Sequence, residues 1–132
     1  MVMGEAMRVA GLGCRKGVAA GEVLAALDAC AAALRPPAVQ ALAAAASKAG
    51  EPGILAAAGL LGLPLIPVDR AALRRASPRC MTHSAASLAA TGTPSLAEAA
   101  ALAAAGEGSR LIAPRIARGN VTCAIAQAGD ET

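Results

Sequence analysis

The fold of this chain is decided by the stretch Gly11-Leu12-Gly13-Cys14-Arg15-Lys16-Gly17. The residues before it, Met7 to Ala10, are mostly apolar, and the residues after it, Ala19 to Leu34, contain no proline and carry apolar side chains at helical spacing. This order predicts a turn that leads from a strand into a helix. Three glycines permit positive φ angles and the close approach of another molecule to the backbone, so we look for function at this turn first.

Two interpretations of the glycine stretch are open. Free N–H groups at the start of the helix, with Arg15 and Lys16 beside them, favour an anionic ligand, and the helix dipole alone contributes about 0.3–1 kcal/mol. Alternatively, the glycines only turn the chain. The spacing G-x-G-x-x-x-G differs from the dinucleotide-binding G-x-G-x-x-G, and no acidic residue follows at the distance needed to bind a ribose. These two departures argue against a nucleotide-binding domain.

Composition narrows the class of ligand. The 132 residues predict a single domain, 1–132, with a net charge of +3 and no Phe, Tyr or Trp. Single-stranded nucleic-acid sites stack bases on aromatic rings, so we do not expect nucleic acid as a partner. The mild positive charge is scattered over several segments and favours small anionic ligands over a polyanion.

The sequence predicts a cytoplasmic protein with no membrane contact. Residues 1–6 lack the cationic start and apolar core of a signal peptide. No uncharged apolar run approaches the roughly 18 residues of a membrane span.

The four cysteines are far apart, with a single histidine, His83, near one of them. This spacing predicts neither a metal site nor disulfides. Cys30 and Cys123 are expected to be small core residues. Cys14 lies beside two basic residues at a predicted helix N-terminus, which favours its thiolate, although a small residue in a tight turn explains it equally well.

The remaining pattern predicts a three-layer α/β domain with a mixed sheet of about five strands, three parallel strands followed by an antiparallel pair. After the first unit, Ala38–Ala46 reads as a buried strand, and a polar loop carrying Lys48 and Glu51 leads into the next helix. If the first two strands are parallel neighbours, this loop forms a polar cleft with the glycine turn at one sheet edge. The alternative for Lys48 and Glu51 is a solvated loop with a capping carboxylate.

The second half of the chain continues the alternation. Leu63–Val68 reads as a strand near an edge, followed by a short helix with three arginines, for which a solvated face is the default. A helix is expected around Ser84–Ala90, and another runs from Thr93 or Ser95 to Gly106. For the second of these helices, Thr93 or Ser95 is the expected cap and Glu98 completes the capping arrangement. The chain closes with a hairpin around Arg118-Gly119-Asn120.

Four motifs in this order resemble the CobE/CbiG C-terminal family of cobalamin biosynthesis. They are the stretch Gly11–Gly17, the pair Lys48-x-x-Glu51, the segment Gly92–Ala100, and the strand Asn120–Ala126. The resemblance spans about 8–127. The length is most like the stand-alone CobE form, since CbiG proteins carry further domains before this one. One departure is Arg115, where the family usually has a lysine, so a role that needs the amine itself is in doubt.

The resemblance implies a part in building the corrin ring, with corrinoid (precorrin) intermediates as ligands and other corrin biosynthesis enzymes as further partners. It implies an accessory or intermediate-binding protein without a cofactor or metal. The alternative is a hydrolase that opens a precorrin lactone, with Lys48 and Glu51 as catalytic candidates, so the enzyme question is open. The implied ligand-binding residues are Gly11, Gly13, Cys14, Arg15, Lys16, Gly17, Thr93, Ser95 and Glu98.

Overall fold

The computed structural model describes residues 7–129, so the prediction about a signal peptide in residues 1–6 lies outside the described residues. The strands are β1 (Arg8–Cys14), β2 (Ala41–Ala45), β3 (Leu65–Val68), β4 (Arg110–Arg118) and β5 (Val121–Gln127). The helices are α1 (Ala20–Ala31), α2 (Pro52–Leu61), α3 (Arg70–Ala76), α4 (Ala85–Thr91) and α5 (Leu96–Ala105), with a 3₁₀ turn at Ser77–Arg79.

The sheet has the strand order β3-β2-β1-β5-β4. Strands β1, β2 and β3 are parallel, and β5 is antiparallel to both β1 and β4. The predicted α/β class with three parallel strands and a final antiparallel pair is confirmed. The sequence did not predict that β5 lies directly beside β1, which places the reversal of strand direction next to the glycine stretch.

Helices cover both faces of the sheet. Residues of α1 and α2, such as Leu27 and Ile54, form one buried cluster with the sheet, and residues of α3 and α5, such as Leu73 and Leu102, form the other. All five residues of β2, Ala41–Ala45, are buried between these layers. Because the chain has no aromatic side chains, both cores consist of aliphatic residues, alanine and cysteine, and these small side chains allow the helices to lie close to the sheet. No helix among residues 7–129 is long and apolar enough to cross a bilayer.

The glycine stretch is mostly strand rather than turn. Strand β1 extends through Gly11 and Gly13, and of the three glycines in the stretch only Gly17 has a positive φ, of 81°. A Cβ on Gly11 would overlap the carbonyl oxygen of Ala97 in α5, and a Cβ on Gly13 would lie 2.6 Å from Thr122 Oγ1. The expectation of a turn at Gly11–Gly13 is therefore wrong, because these glycines admit close contacts within the protein.

Candidate ligand-binding site

The first three strands end at one edge of the sheet, and the loops that follow them meet there. The N–H of Gly17, after β1, donates a hydrogen bond of 2.8 Å to Glu51 Oε1, after β2. Lys48 and Glu51 also lie close enough to Cys14 to influence the pKa of its thiol. The structure thus brings together the two loops in which the sequence placed a polar cleft, because β1 and β2 are parallel neighbours.

The backbone donors of the glycine turn are already engaged. The N–H of Gly17 binds Glu51, and the N–H of Arg15 donates to the carbonyl oxygen of Asn120 at 3.1 Å. The side chains of Arg15 and Lys16 are exposed. An anionic ligand at this edge would therefore be bound by side chains, since the protein's own carboxylate occupies the N–H of Gly17.

A cleft of about 400 Å³ opens where β1 meets β5, and we call it the first cleft. It lies beside β1, where the order of the strands reverses, and ligands of open α/β sheets usually bind at such a point. Two arginines and no acidic residue are among its lining residues. Its polar lining side chains are Arg15, Arg115, Ser84, Ser87, Asn120 and Thr122.

Arg115 reaches this cleft through an irregularity in β4. The pairing of β4 with β5 shifts register between Ala113 and Ile116, so Arg115 lies in a bulge. Its N–H donates to Glu98 Oε2 at 2.9 Å, which holds the bulge in place. The sequence indicated Arg115 only as a departure from the family pattern. No local pattern places it in the same cleft as Arg15, because the bulge and the strand order are both long-range features.

Glu98 is fully buried and serves as an internal anchor. Its Oε1 accepts hydrogen bonds of 2.8 Å from the N–H groups of Met81 and Thr82, and its Oε2 accepts from Thr82 Oγ1 and the N–H of Arg115, both at 2.9 Å. Burial raises the pKa of this carboxyl, but the hydrogen bonds outweigh burial and the pKa is lowered. Ser95 alone caps α5, so the capping role predicted for Glu98 is wrong.

The other predicted binding residues of the segment Gly92–Ala100, Thr93 and Ser95, are also buried in the protein interior. Thr93 and Ser95 are each 1% exposed. Thr93 Oγ1 accepts from the N–H of Ser95 at 3.2 Å, and Ser95 Oγ accepts from the N–H of Glu98 at 3.3 Å. None of the three lines the first cleft. Their hydrogen bonds instead stabilise the segment that connects α4 to α5.

A second cleft of about 530 Å³ lies at the C-terminal end of α4, beside the ends of β2 and β3. Arg70 and Arg74, one helical turn apart on α3, line it together with Ser47 and Thr91. Asp69 also lines it, but its Oδ1 caps α3 by accepting from the N–H of Ala72 at 2.8 Å. Neither Lys48 nor Glu51 lines either cleft.

Cys14 lines the first cleft as a neutral thiol. Burial raises the pKa of Cys14 above its ordinary value, and the carboxylate of Glu51 raises it further, whereas Lys48 lowers it less than burial raises it. The alternative of a reactive thiolate is not supported, because Cys14 ends a strand and α1 begins only at Ala20. The other cysteines are buried, and Cys30 Sγ donates to the carbonyl oxygen of Cys123 at 3.4 Å.

Within residues 7–129, no three His, Cys, Asp or Glu side chains are grouped so that they could share a metal ion. His83 is exposed.

The family model described as "Cobalamin synthesis G C-terminus" matches residues 8–126. The chain belongs to this family. Its structure is similar to that of CobE, a protein from the cobalamin (vitamin B12) biosynthetic pathway, with 32% identity and a TM-score of 0.85, covering 96% of this chain and 94% of that chain. It is also similar to the cobalamin biosynthesis protein chiG from Agrobacterium tumefaciens str. C58, with 48% identity and a TM-score of 0.76, covering 94% of this chain and 100% of that chain.

The fold is also found within a longer protein. A structure described as a cobalamin biosynthesis protein G homolog from Sulfolobus solfataricus shares 21% identity at a TM-score of 0.69, covering 92% of this chain and 37% of that chain. A search of curated protein sequences finds no significant match. Membership of the cobalamin biosynthesis family thus rests on the family model and on the two more similar structures.

Proposed function

We propose that this protein is an accessory protein of cobalamin biosynthesis that binds a corrin-ring intermediate through the carboxylates at the edge of the ring. The observation that carries this proposal is the first cleft, where Arg15 and Arg115 face a cavity without an acidic residue in its lining. Guanidinium groups bind carboxylates through paired, charge-assisted hydrogen bonds. Corrin precursors carry acetate and propionate side chains, so they present the groups that such a cleft would bind.

The apolar residues in the lining of the first cleft suit the face of the corrin ring itself. Ala86, Ala117 and Leu96 lie among the polar residues of the first cleft. Small side chains allow a flat ring to approach closely, and the arginines would bind its carboxylates. The family membership independently favours a ligand from this pathway.

The test is a titration with two corrins that differ in their side chains: cobyrinic acid, whose side chains are carboxylates, and cobinamide, whose side chains are amides. We expect wild-type protein to bind cobyrinic acid more tightly, and added salt to weaken that binding. Arg15→Ala and Arg115→Ala should each weaken it about ten- to a hundred-fold, since a charge-assisted hydrogen bond is worth about 1.5–3 kcal/mol.

Arg110→Ala is the matched control. Arg110 is exposed at the start of β4, the opposite end of that strand from the first cleft, so its loss should change affinity little. Unchanged affinity in both cleft variants at low salt would overturn the proposal. Equal binding of cobyrinic acid and cobinamide would do the same.

The alternative is hydrolysis of a precorrin lactone, with Lys48 and Glu51 as the polar pair. The contact between Glu51 and the glycine turn favours it, because the pair lies close to Cys14, which itself lines the first cleft. Incubating lactone-containing precorrin with catalytic amounts of protein decides between the two. Turnover that is lost in Lys48→Ala and Glu51→Ala would favour the hydrolase, whereas binding without chemical change favours the accessory role. Under either function we place the protein in the cytoplasm with the other enzymes of the pathway.

A further inference from the structure

We infer that the second cleft is a subsite for carboxylates of the same ligand, so that one polycarboxylate ring lies along α4 and is held by arginines at both ends of that helix. This inference rests on the proposed function and names a set of contacts that the proposed function does not require. The arginines are Arg15 and Arg115 in the first cleft and Arg70 and Arg74 in the second.

The two clefts are neighbouring parts of one surface. Both open at the edge where the parallel strands end, the first after β1 and the second after β2 and β3. Leu96, half-buried at the start of α5, lines both of them. Helix α4 contributes Ala86, near its start, to the first cleft and Ala90, near its end, to the second. These two alanines are four residues apart and therefore lie on the same face of the helix. Between the two arginine pairs the surface carries these alanines and Leu96, with the small polar residues Ser87 and Thr91 among them.

The charges in the second cleft are available to a ligand. Arg70 and Arg74 are four residues apart on α3, so they lie on the same face of the helix, and both are exposed. Asp69 is the acidic residue of this lining, and one of its oxygens is engaged in capping α3. Arg75, on the same helix, lines a different cavity between α3 and α5.

A polycarboxylate ring matches this arrangement in shape and in chemistry. Such a ring has an apolar body with carboxylates around its edge. The surface carries Leu96, Ala86 and Ala90 at its centre, among the small polar residues Ser87 and Thr91, with an arginine pair at each end of α4. A small anion such as phosphate would fill one cleft only and would gain nothing from the second arginine pair.

The first experiment compares two double variants in titrations with cobyrinic acid. We expect Arg70→Ala/Arg74→Ala to weaken binding about tenfold or more, since each lost charge-assisted hydrogen bond is worth at least about 1.4 kcal/mol. Arg75→Ala/Arg110→Ala removes the same charge from exposed positions outside both clefts and should change affinity less than about threefold, because distant surface charges are screened. Wild-type protein should bind one ligand per chain.

Three results would overturn the inference. Equal affinities of the two double variants would show that the second cleft binds no carboxylate. Two ligands per chain would show that the clefts bind separately. A wild-type protein that does not bind cobyrinic acid would remove the proposed function as well. If instead Arg15→Ala weakens binding and the Arg70/Arg74 variant does not, only the single-cleft site remains.

A second pair of variants tests the centre of this surface without touching the arginines. Ala90 and Ala89 are both exposed on α4, but only Ala90 lines the second cleft. Because a carboxylate at the cleft would repel the ring's carboxylates, Ala90→Glu should weaken binding, and Ala89→Glu should do so much less. Equal effects of the two substitutions would contradict the proposed position of the ring.

Discussion

At the scale of single residues, contacts inside the protein explain why two positions of β1 are glycine. Gly11 is buried where α5 crosses β1, and the carbonyl oxygen of Ala97 occupies the space that a Cβ would need. Gly59, in the last turn of α2, has open space around the same position. Glycine is thus required at Gly11 for packing and is replaceable at Gly59.

We expect Gly11→Ala to lower the free energy of unfolding by about 1–3 kcal/mol or more, because backbone atoms of α5 would have to move. Gly59→Ala should raise it by up to about 1 kcal/mol, since alanine favours a helix and loses less entropy on folding. Urea denaturation of the two variants measures both effects. A Gly11→Ala protein as stable as wild type would contradict the packing argument.

At the scale of elements, α4 stands out because none of its residues is buried. Its base is held by the hydrogen bond from the N–H of Ser84 to the carbonyl oxygen of Pro94, at 3.0 Å, and by the contacts of Glu98 with residues 81 and 82. By contrast, α5 is buried against β1 along most of its length. The two helices should therefore differ in their local stability.

Hydrogen exchange measures this difference. Amides of α4 should exchange early, while those of α5 remain protected, because local opening of α4 exposes almost no apolar surface. Saturating cobyrinic acid should slow exchange in α4 if the ring lies along it. Exchange in α4 that is as slow as in α5 without ligand would contradict the expected low stability.

At the scale of the whole molecule, the carboxylate of Glu98 joins the segment before α4, the helix α5 and the bulge of β4. Its pKa is lower in the folded protein than the ordinary value, so the unfolded state takes up more protons as the pH falls. The stability that Glu98 contributes is complete above its ordinary pKa and is lost as the pH falls through the folded pKa.

Glu98→Gln should lower the free energy of unfolding by about 1–3 kcal/mol at neutral pH, because the amide group turns a donor toward N–H groups that need acceptors. The difference from wild type should narrow as the pH falls below about 4.5, the ordinary pKa of the carboxyl. Glu107→Gln, at an exposed carboxyl, is the control. Denaturant titrations at several pH values test this, and a difference that does not change with pH would contradict it.

The order of strands and helices and the turn of the final hairpin at Gly119-Asn120 could be predicted from the sequence alone, because periodicity and turn signals are local. The same local signals narrowed the cap of α5 to Thr93 or Ser95, and the structure shows that it is Ser95. The loops carrying Gly17 and Glu51 could be placed together because successive parallel strands end at one edge. Tertiary contacts, in contrast, are what pair β5 with β1 and place Arg115, in the bulge of β4, in the lining of the same cleft as Arg15. They also place α5 in the space beside Gly11. These outcomes depend on contacts between distant parts of the chain, which no local pattern encodes.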